Sequence, residues 1–220
     1  MKEMYTNNNL NDKVDSIIKQ AMHIYVNRLI TGYYEIGLEA TFQLHFSKIL
    51  QDLLDINTFS TKERFEVLLE KNIKVNGNKD YVDIVIRHTN DTIISLYLIE
   101  LKFKKISDSA SDLGNVASYI DMYNLDSHKN TENVKGCYFI FMTNLKTYIS
   151  KPRKGARIEL PMYDLAKIEP NHAYTFDGKT AKNAIKKYAP NGFQFSVNHS
   201  IEYEHFRIDT NDYWFFIEKM

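Results

Sequence analysis

The run Thr92-Ile-Ile-Ser-Leu-Tyr-Leu-Ile-Glu-Leu-Lys-Phe-Lys104 constrains the fold of this chain more than any other stretch. It is rich in β-branched, aromatic and leucine side chains and lacks the polar face of a helical period, which predicts a largely buried strand. Alternate side chains of a strand point to opposite faces, so Ile94, Leu96, Leu98, Glu100, Lys102 and Lys104 share one face, and Ile93, Ser95, Tyr97, Ile99, Leu101 and Phe103 the other. Glu100 and Lys102 therefore point the same way from an apolar stripe. An unpaired carboxylate there is costly to bury, so Glu100 requires a cation.

Just upstream, Tyr81-Val-Asp-Ile-Val-Ile86 predicts a second strand, and His88-Thr-Asn-Asp91 a hairpin connection. Asp83 lies on the face of Tyr81, Val85 and Arg87. Counting outward symmetrically from that connection sets Asp83 opposite about Tyr97, and a bulge or stagger is needed to bring it level with Glu100 and Lys102. Lys102 neutralises one of the two acids, and a divalent metal would balance the other. The bland alternative is a strand leaving the core, with Glu100 and Lys102 reaching into water.

Leu38, Phe42, Phe46, Ile49 and Leu53 recur at helical steps and predict one buried face. Glu39 falls about 60° from the centre of that stripe, and Glu35 one turn earlier, near the stripe itself; either could enter a site there, Glu39 being preferred, and Glu35 could instead complement the positive helix end. Downstream, Ser109 to Leu125 predicts a helix burying Leu113, Val116, Ala117, Ile120 and Tyr123, with Gly114 allowing close approach to a sheet. Gly136-Cys-Tyr-Phe-Ile-Phe-Met142 reads as a central parallel strand buried on both faces. With Phe65 to Val75 as a first strand, the order helix, strand, strand, strand, helix, strand predicts an α/β fold with a mixed sheet. Asn11 to Ile30 forms an amphipathic helix, either a dimer arm or a core cover. Short aromatic strands are expected at Gly192 to Val197, Glu202 to Ile208 and Tyr213 to Ile217.

At 220 residues, without a convincing linker, the chain is expected to form one domain: an N-terminal helical arm (1–32), a catalytic core (33–150) and a β-rich C-terminal extension (151–220). The 28 basic residues equal the 28 acidic ones, so no general basic excess announces a nonspecific nucleic-acid binder. Cations nevertheless cluster at Lys146, Lys151, Arg153, Lys154 and Arg157, with Lys104 and Lys105 past the long strand, as candidate phosphate contacts. The single Cys137 excludes a disulfide framework and a cysteine zinc site, and reads as a small core residue of a cytoplasmic protein. No apolar run approaches the roughly 20 residues of a membrane span, and the polar start lacks the features of a signal peptide.

Asp83, a hairpin, then Glu100-Leu101-Lys102 resembles the core of the PD-(D/E)XK nuclease superfamily, with Val82 where a proline is usual. The likeness extends from the helix of Glu39 to the strand of Cys137. Glu39-Ala-Thr-Phe-Gln-Leu is similar to the superfamily's pattern of an acid, an apolar residue and a glutamine. Asn115 and Tyr119, one turn apart, resemble a glutamine and tyrosine that in some subfamilies steady the catalytic residues and the DNA backbone, asparagine being a shortened version.

The resemblance implies a restriction-endonuclease-like α/β/α sandwich and an endonuclease on double-stranded DNA, most like a type II restriction enzyme and acting as a homodimer. It implies Mg²⁺, replaceable by Mn²⁺, held by Asp83, Glu100, the Leu101 carbonyl and Glu39, with Lys102 as the catalytic cation. A repair or junction-resolving nuclease is the near alternative, and a noncatalytic DNA-binding module on the same fold the alternative of another class.

Overall fold

The computed structural model describes residues 7–75, 78–105, 112–151, 162–174 and 191–220. In chain order these form α1 (Asn7–Ile30), α2 (Glu39–Ile56), β1 (Glu63–Val75), β2 (Asn78–Asn90), β3 (Ile93–Lys104), α3 (Asp112–His128), β4 (Val134–Thr143), α4 (Lys146–Ile149), β5 (Ala166–Ile168), β6 (His199–Ile201), β7 (Glu204–Ile208) and β8 (Asn211–Lys219). The architecture is α/β. Six strands make a mixed sheet in the order β1-β2-β3-β4-β8-β7, and β5 pairs with β6 in a separate two-stranded sheet. The described residues of 1–99 and 131–136 form one compact unit, and those of 100–130 and 137–220 a second.

In the first unit α1 buries Val14, Ile17, Ile18, Ala21, Met22, Tyr25, Val26 and Leu29, whereas Ile24, which its periodicity sets on the same apolar side, is only half-buried. It is a core cover in this chain: Tyr25 stacks on Phe42 of α2 with centroids 4.7 Å apart, and the Tyr97 hydroxyl donates to Asn11 Oδ1 at 2.8 Å. The helix stops where Gly32 adopts φ 70°, a left-handed conformation that glycine takes without steric penalty.

The start of α2 differs from expectation. Leu38 is its N-cap and stands 64 % exposed, so the buried stripe is Phe42, Phe46, Ile49, Leu50 and Leu54. Burial of each large side chain contributes about 1.5–3 kcal/mol. Glu35 precedes the helix altogether and is exposed. The connection is tight, since a Cβ at Gly37 would sit 2.7 Å from Thr41 Cβ. Further along, Gln51 ties α2 to the outer edge of β1: it accepts from Val67 N at 2.8 Å and donates to Phe65 O at 3.4 Å. These bonds satisfy edge-strand groups that would otherwise offer themselves to another chain.

In the second unit α3 buries Val116, Ser118, Tyr119, Met122, Leu125, Asp126 and His128, whereas Ala117, Ile120 and Tyr123 of the expected face are only half-buried. The helix is rolled because Phe193 and Phe195 pack on Tyr119 and Tyr123, with centroids between 5.7 and 6.5 Å. Helical periodicity carries no information about so distant a partner. The Gly192–Val197 stretch, expected as a strand, makes only isolated bridges from Phe193 to Tyr174 and from Phe195 to Pro170. Its Ser196 instead gives its backbone N–H and its hydroxyl to the Asp126 carboxylate at 2.9 and 2.7 Å.

Burial of β4 is continuous from Cys137 to Thr143, and burial pushes the Cys137 thiol up to about 12, so it is no nucleophile at neutral pH. Its neighbour β8 runs antiparallel, with Met142 opposite Phe215, and the β7–β8 hairpin extends the main sheet. No helix among the described residues is long and apolar enough to cross a membrane.

Candidate active site

The β2–β3 turn is tighter than the sequence suggested. His88, Thr89 and Asn90 belong to β2, and the turn reduces to Asp91 and Thr92, with Asp91 at φ 53°. Aspartate tolerates this left-handed conformation because its short side chain bonds locally. The ladder runs from Asn90 opposite Ile93 to Ile84 opposite Ile99, which sets Tyr97 opposite Ile86. The expected pairing of residue 83 with about residue 97 is therefore corrected, and no bulge in this hairpin is required. Asp83 directly precedes, and Glu100 directly follows, the last of these paired residues.

Within the first unit Asp83 has surroundings that the sequence did not reveal. Leu69 pairs with Ile84 and Lys71 with Val82, so Glu70 and Asp83 lie between two successive rungs of the β1–β2 ladder. Glu70 sits there at φ 48°. A non-glycine residue in that region inside a strand stores on the order of 1–3 kcal/mol, a departure concentrated at functional sites. Gln43 Nε2 donates to Glu70 Oε1 at 3.0 Å and to the Asp83 carbonyl at 2.7 Å. Glu39, half-buried, opens α2 one turn before Gln43 on the same helical face, and as a first-turn acid it also complements the helix dipole. Gln43 and Glu70 were absent from the expected site. Gln43 was visible only as a letter of the Glu39 pattern, and Glu70 only as the polar residue that ends Val67-Leu68-Leu69.

Within the second unit Glu100 is 8 % exposed and Leu101 fully buried, an unusual depth for an ionisable group. Lys102 shares the face of Glu100, and its ammonium meets Asp121 Oδ2 of α3 at 2.9 Å. Asp121 is a further residue that sequence reasoning missed, because its partner is far away in the chain. The backbone of Asn115 belongs to α3, but its side chain lies outside the described part. Tyr119 is fully buried against Phe193 and Phe195, and burial drives its hydroxyl well above the ordinary tyrosine range. The implied contact of Tyr119 with a DNA backbone is thus corrected: the ring is core.

Of the candidate phosphate contacts, Lys104 and Lys105 are half-buried at the end of β3 and Lys151 is exposed, while Arg153, Lys154 and Arg157 lie outside the described residues. Among the described residues no three His, Cys, Asp or Glu side chains are grouped to hold a metal ion. Mg²⁺, however, is commonly bound through one or two carboxylates, with water and substrate phosphate completing its shell. Asp83 in the first unit, and Glu100 with the Leu101 carbonyl in the second, are each oxygen donors of that kind.

Comparison of the chain with family models, with curated proteins and with solved structures finds no match.

Proposed function

We propose that this chain is a metal-dependent DNA endonuclease with a restriction-endonuclease-like sandwich, of the sequence-specific type II class. The observation that carries the proposal is the β2–β3 register: Asp83 and Glu100 flank the rung of Ile84 and Ile99, and Lys102 follows on the face of Glu100. Asp83, Glu100 and the Leu101 carbonyl, with Glu39 or Glu70, would hold Mg²⁺ or Mn²⁺. Such an ion supplies Lewis acidity toward the phosphate and lowers the pKa of attacking water.

The remaining roles belong to the chain itself. Gln43 positions β2 through the Asp83 carbonyl and restrains Glu70. Lys102, steadied by Asp121, orients the attacking water and offsets negative charge growing on the phosphate. Attack on phosphorus with departure of the 3′ oxygen leaves 5′-phosphate and 3′-hydroxyl ends. Two strands call for two such sites, hence a homodimer on double-stranded DNA.

The test is incubation of plasmid and genomic DNA with the chain in Mg²⁺, Mn²⁺ or EDTA, beside Asp83→Ala and Lys102→Ala. Metal-dependent, banded cleavage lost in both variants is the expected result. No cleavage by the parent, or cleavage that survives both substitutions, refutes the proposal or its site.

A further inference from the structure

A cavity of about 300 Å³ lies in the second unit, outside the site described above, with walls that include Asn144, Lys146, Asn211, Asp212 and Trp214. Trp214 is half-buried and lines this cavity. On β7 and β8, His205 stands opposite Trp214 and Arg207 opposite Asp212, so these four share one sheet face. The His205 and Trp214 rings lie 5.4 Å apart. The acid of the cavity is already engaged: His205 Nε2 and Arg207 Nε each lie 2.9 Å from Asp212 Oδ1, and both hold its carboxyl below the ordinary range. Lys146, exposed, has no carboxylate partner among the described residues.

The cavity is tied to the candidate active strand. Asn144 N donates to Lys104 O at 3.3 Å, and Lys104 lies two residues beyond Lys102 on the same strand face. Two strand residues span about 7 Å, equal to roughly two stacked nucleotides at 3.4 Å each. The side chain of Asn144 is held in turn by a hydrogen bond with the Tyr213 hydroxyl.

We propose that this cavity holds one base of a DNA strand, stacked on Trp214 with its phosphate against Lys146, a few nucleotides from the phosphate presented to Lys102. The proposal rests on the nuclease assignment and names where that site grips its substrate. An indole wall, a free cation and two amides match what a single-stranded nucleotide offers: a π face, a phosphate and a hydrogen-bonding base edge. Every base has the π face, so the contact grips the strand without reading sequence.

Trp214 is the only tryptophan of the chain, so its fluorescence reports this cavity alone. The full chain, in EDTA to prevent cleavage, is titrated with single-stranded oligothymidylate and separately with thymidine monophosphate, and variants are compared by anisotropy of labelled oligonucleotide. Saturable quenching by the oligonucleotide is expected, with at least about fivefold weaker binding for Trp214→Ala, largely restored in Trp214→Phe. Lys146→Ala, at an exposed position, is expected to lower the salt slope by about one phosphate contact.

No fluorescence change with either probe, or binding by Trp214→Ala and Lys146→Ala within twofold of the parent, overturns the proposal. Thymidine monophosphate binding as tightly as the oligonucleotide replaces a gripped strand with a free nucleotide and also overturns it. The two assignments fail separately. Quenching without metal-dependent cleavage removes the nuclease and leaves the cavity, whereas cleavage lost in Asp83→Ala but unchanged in Trp214→Ala removes the cavity and leaves the nuclease.

Discussion

Replacing Lys102 by methionine, Asp121 by asparagine, and both together measures how the proposed catalytic lysine is held. The ammonium and carboxylate lie 2.9 Å apart, with side chains 15 and 22 % exposed. Coulomb's law at an effective dielectric near 20 gives an attraction of about 6 kcal/mol at that distance. Loss of hydration by two largely buried ions offsets most of it, leaving a net coupling of about 1–2 kcal/mol. Lys102→Met strips Asp121 of this cation and is expected to cost about 2–3 kcal/mol, more than Asp121→Asn, whose neutral amide leaves no unpaired carboxylate. Urea unfolding of the four proteins, followed by circular dichroism, yields the coupling directly. Activity adds a second axis: under the proposed function Lys102→Met is expected to abolish cleavage, and Asp121→Asn to retain it at a reduced rate. Additivity within about 0.3–0.5 kcal/mol, the range of independent sites, refutes the ion pair as the device that holds Lys102.

Gln43→Leu removes the donor to the Asp83 carbonyl and to Glu70. A loss of about 1–3 kcal/mol, with a fall in cleavage rate, is expected from urea unfolding and plasmid assays; Gln43→Glu restores neither, because it cannot donate. Glu70→Gly relieves the φ 48° strain and is expected to raise stability by up to about 1 kcal/mol in the same unfolding assay. Burial holds the His88 imidazole below its ordinary value, against the pull of Glu63 at 3.1 Å. The unfolded chain then binds a proton more readily than the folded one, so this contribution is present above the ordinary histidine pKa and lost as pH falls through the lowered one. Urea midpoints of the parent should fall more steeply below neutral pH than those of His88→Gln, and parallel curves refute the assignment. Asp126→Ala strips acceptors from Ser196 and a partner from Lys129, with an expected loss of about 2–4 kcal/mol by urea unfolding.

What was legible in the chain is what one element encodes by itself. The apolar run ending in Glu100-Leu101-Lys102 announced β3, and Gly136 to Met142 announced β4, because burial on both faces leaves a continuous apolar record. Alternation alone put Glu100 and Lys102 on one strand face. Turn chemistry was read less well: Asp91 accepts a positive φ, which shortened the hairpin and moved the register by three residues, so that Tyr97 stands opposite Ile86 rather than about Asp83. For α2 and α3 the periodic stripe located the helices but misjudged their faces. Leu38 and Ile120 are apolar enough for a core, and only packing decides whether a core is there to receive them.

The local code of this sequence determined the strands β1 to β4, the helices α1 to α3 and the spacing of Asp83, Glu100 and Lys102, since hydrophobic period and backbone preference act within a few residues. Tertiary structure alone decided the partners: Gln43 for Asp83 and Glu70, Asp121 for Lys102, Phe193 and Phe195 for Tyr119, and a cavity for Trp214. Each joins residues distant in the chain through distance-dependent forces, hydrogen bonding, charge and close packing, which leave no periodic trace along a single sequence.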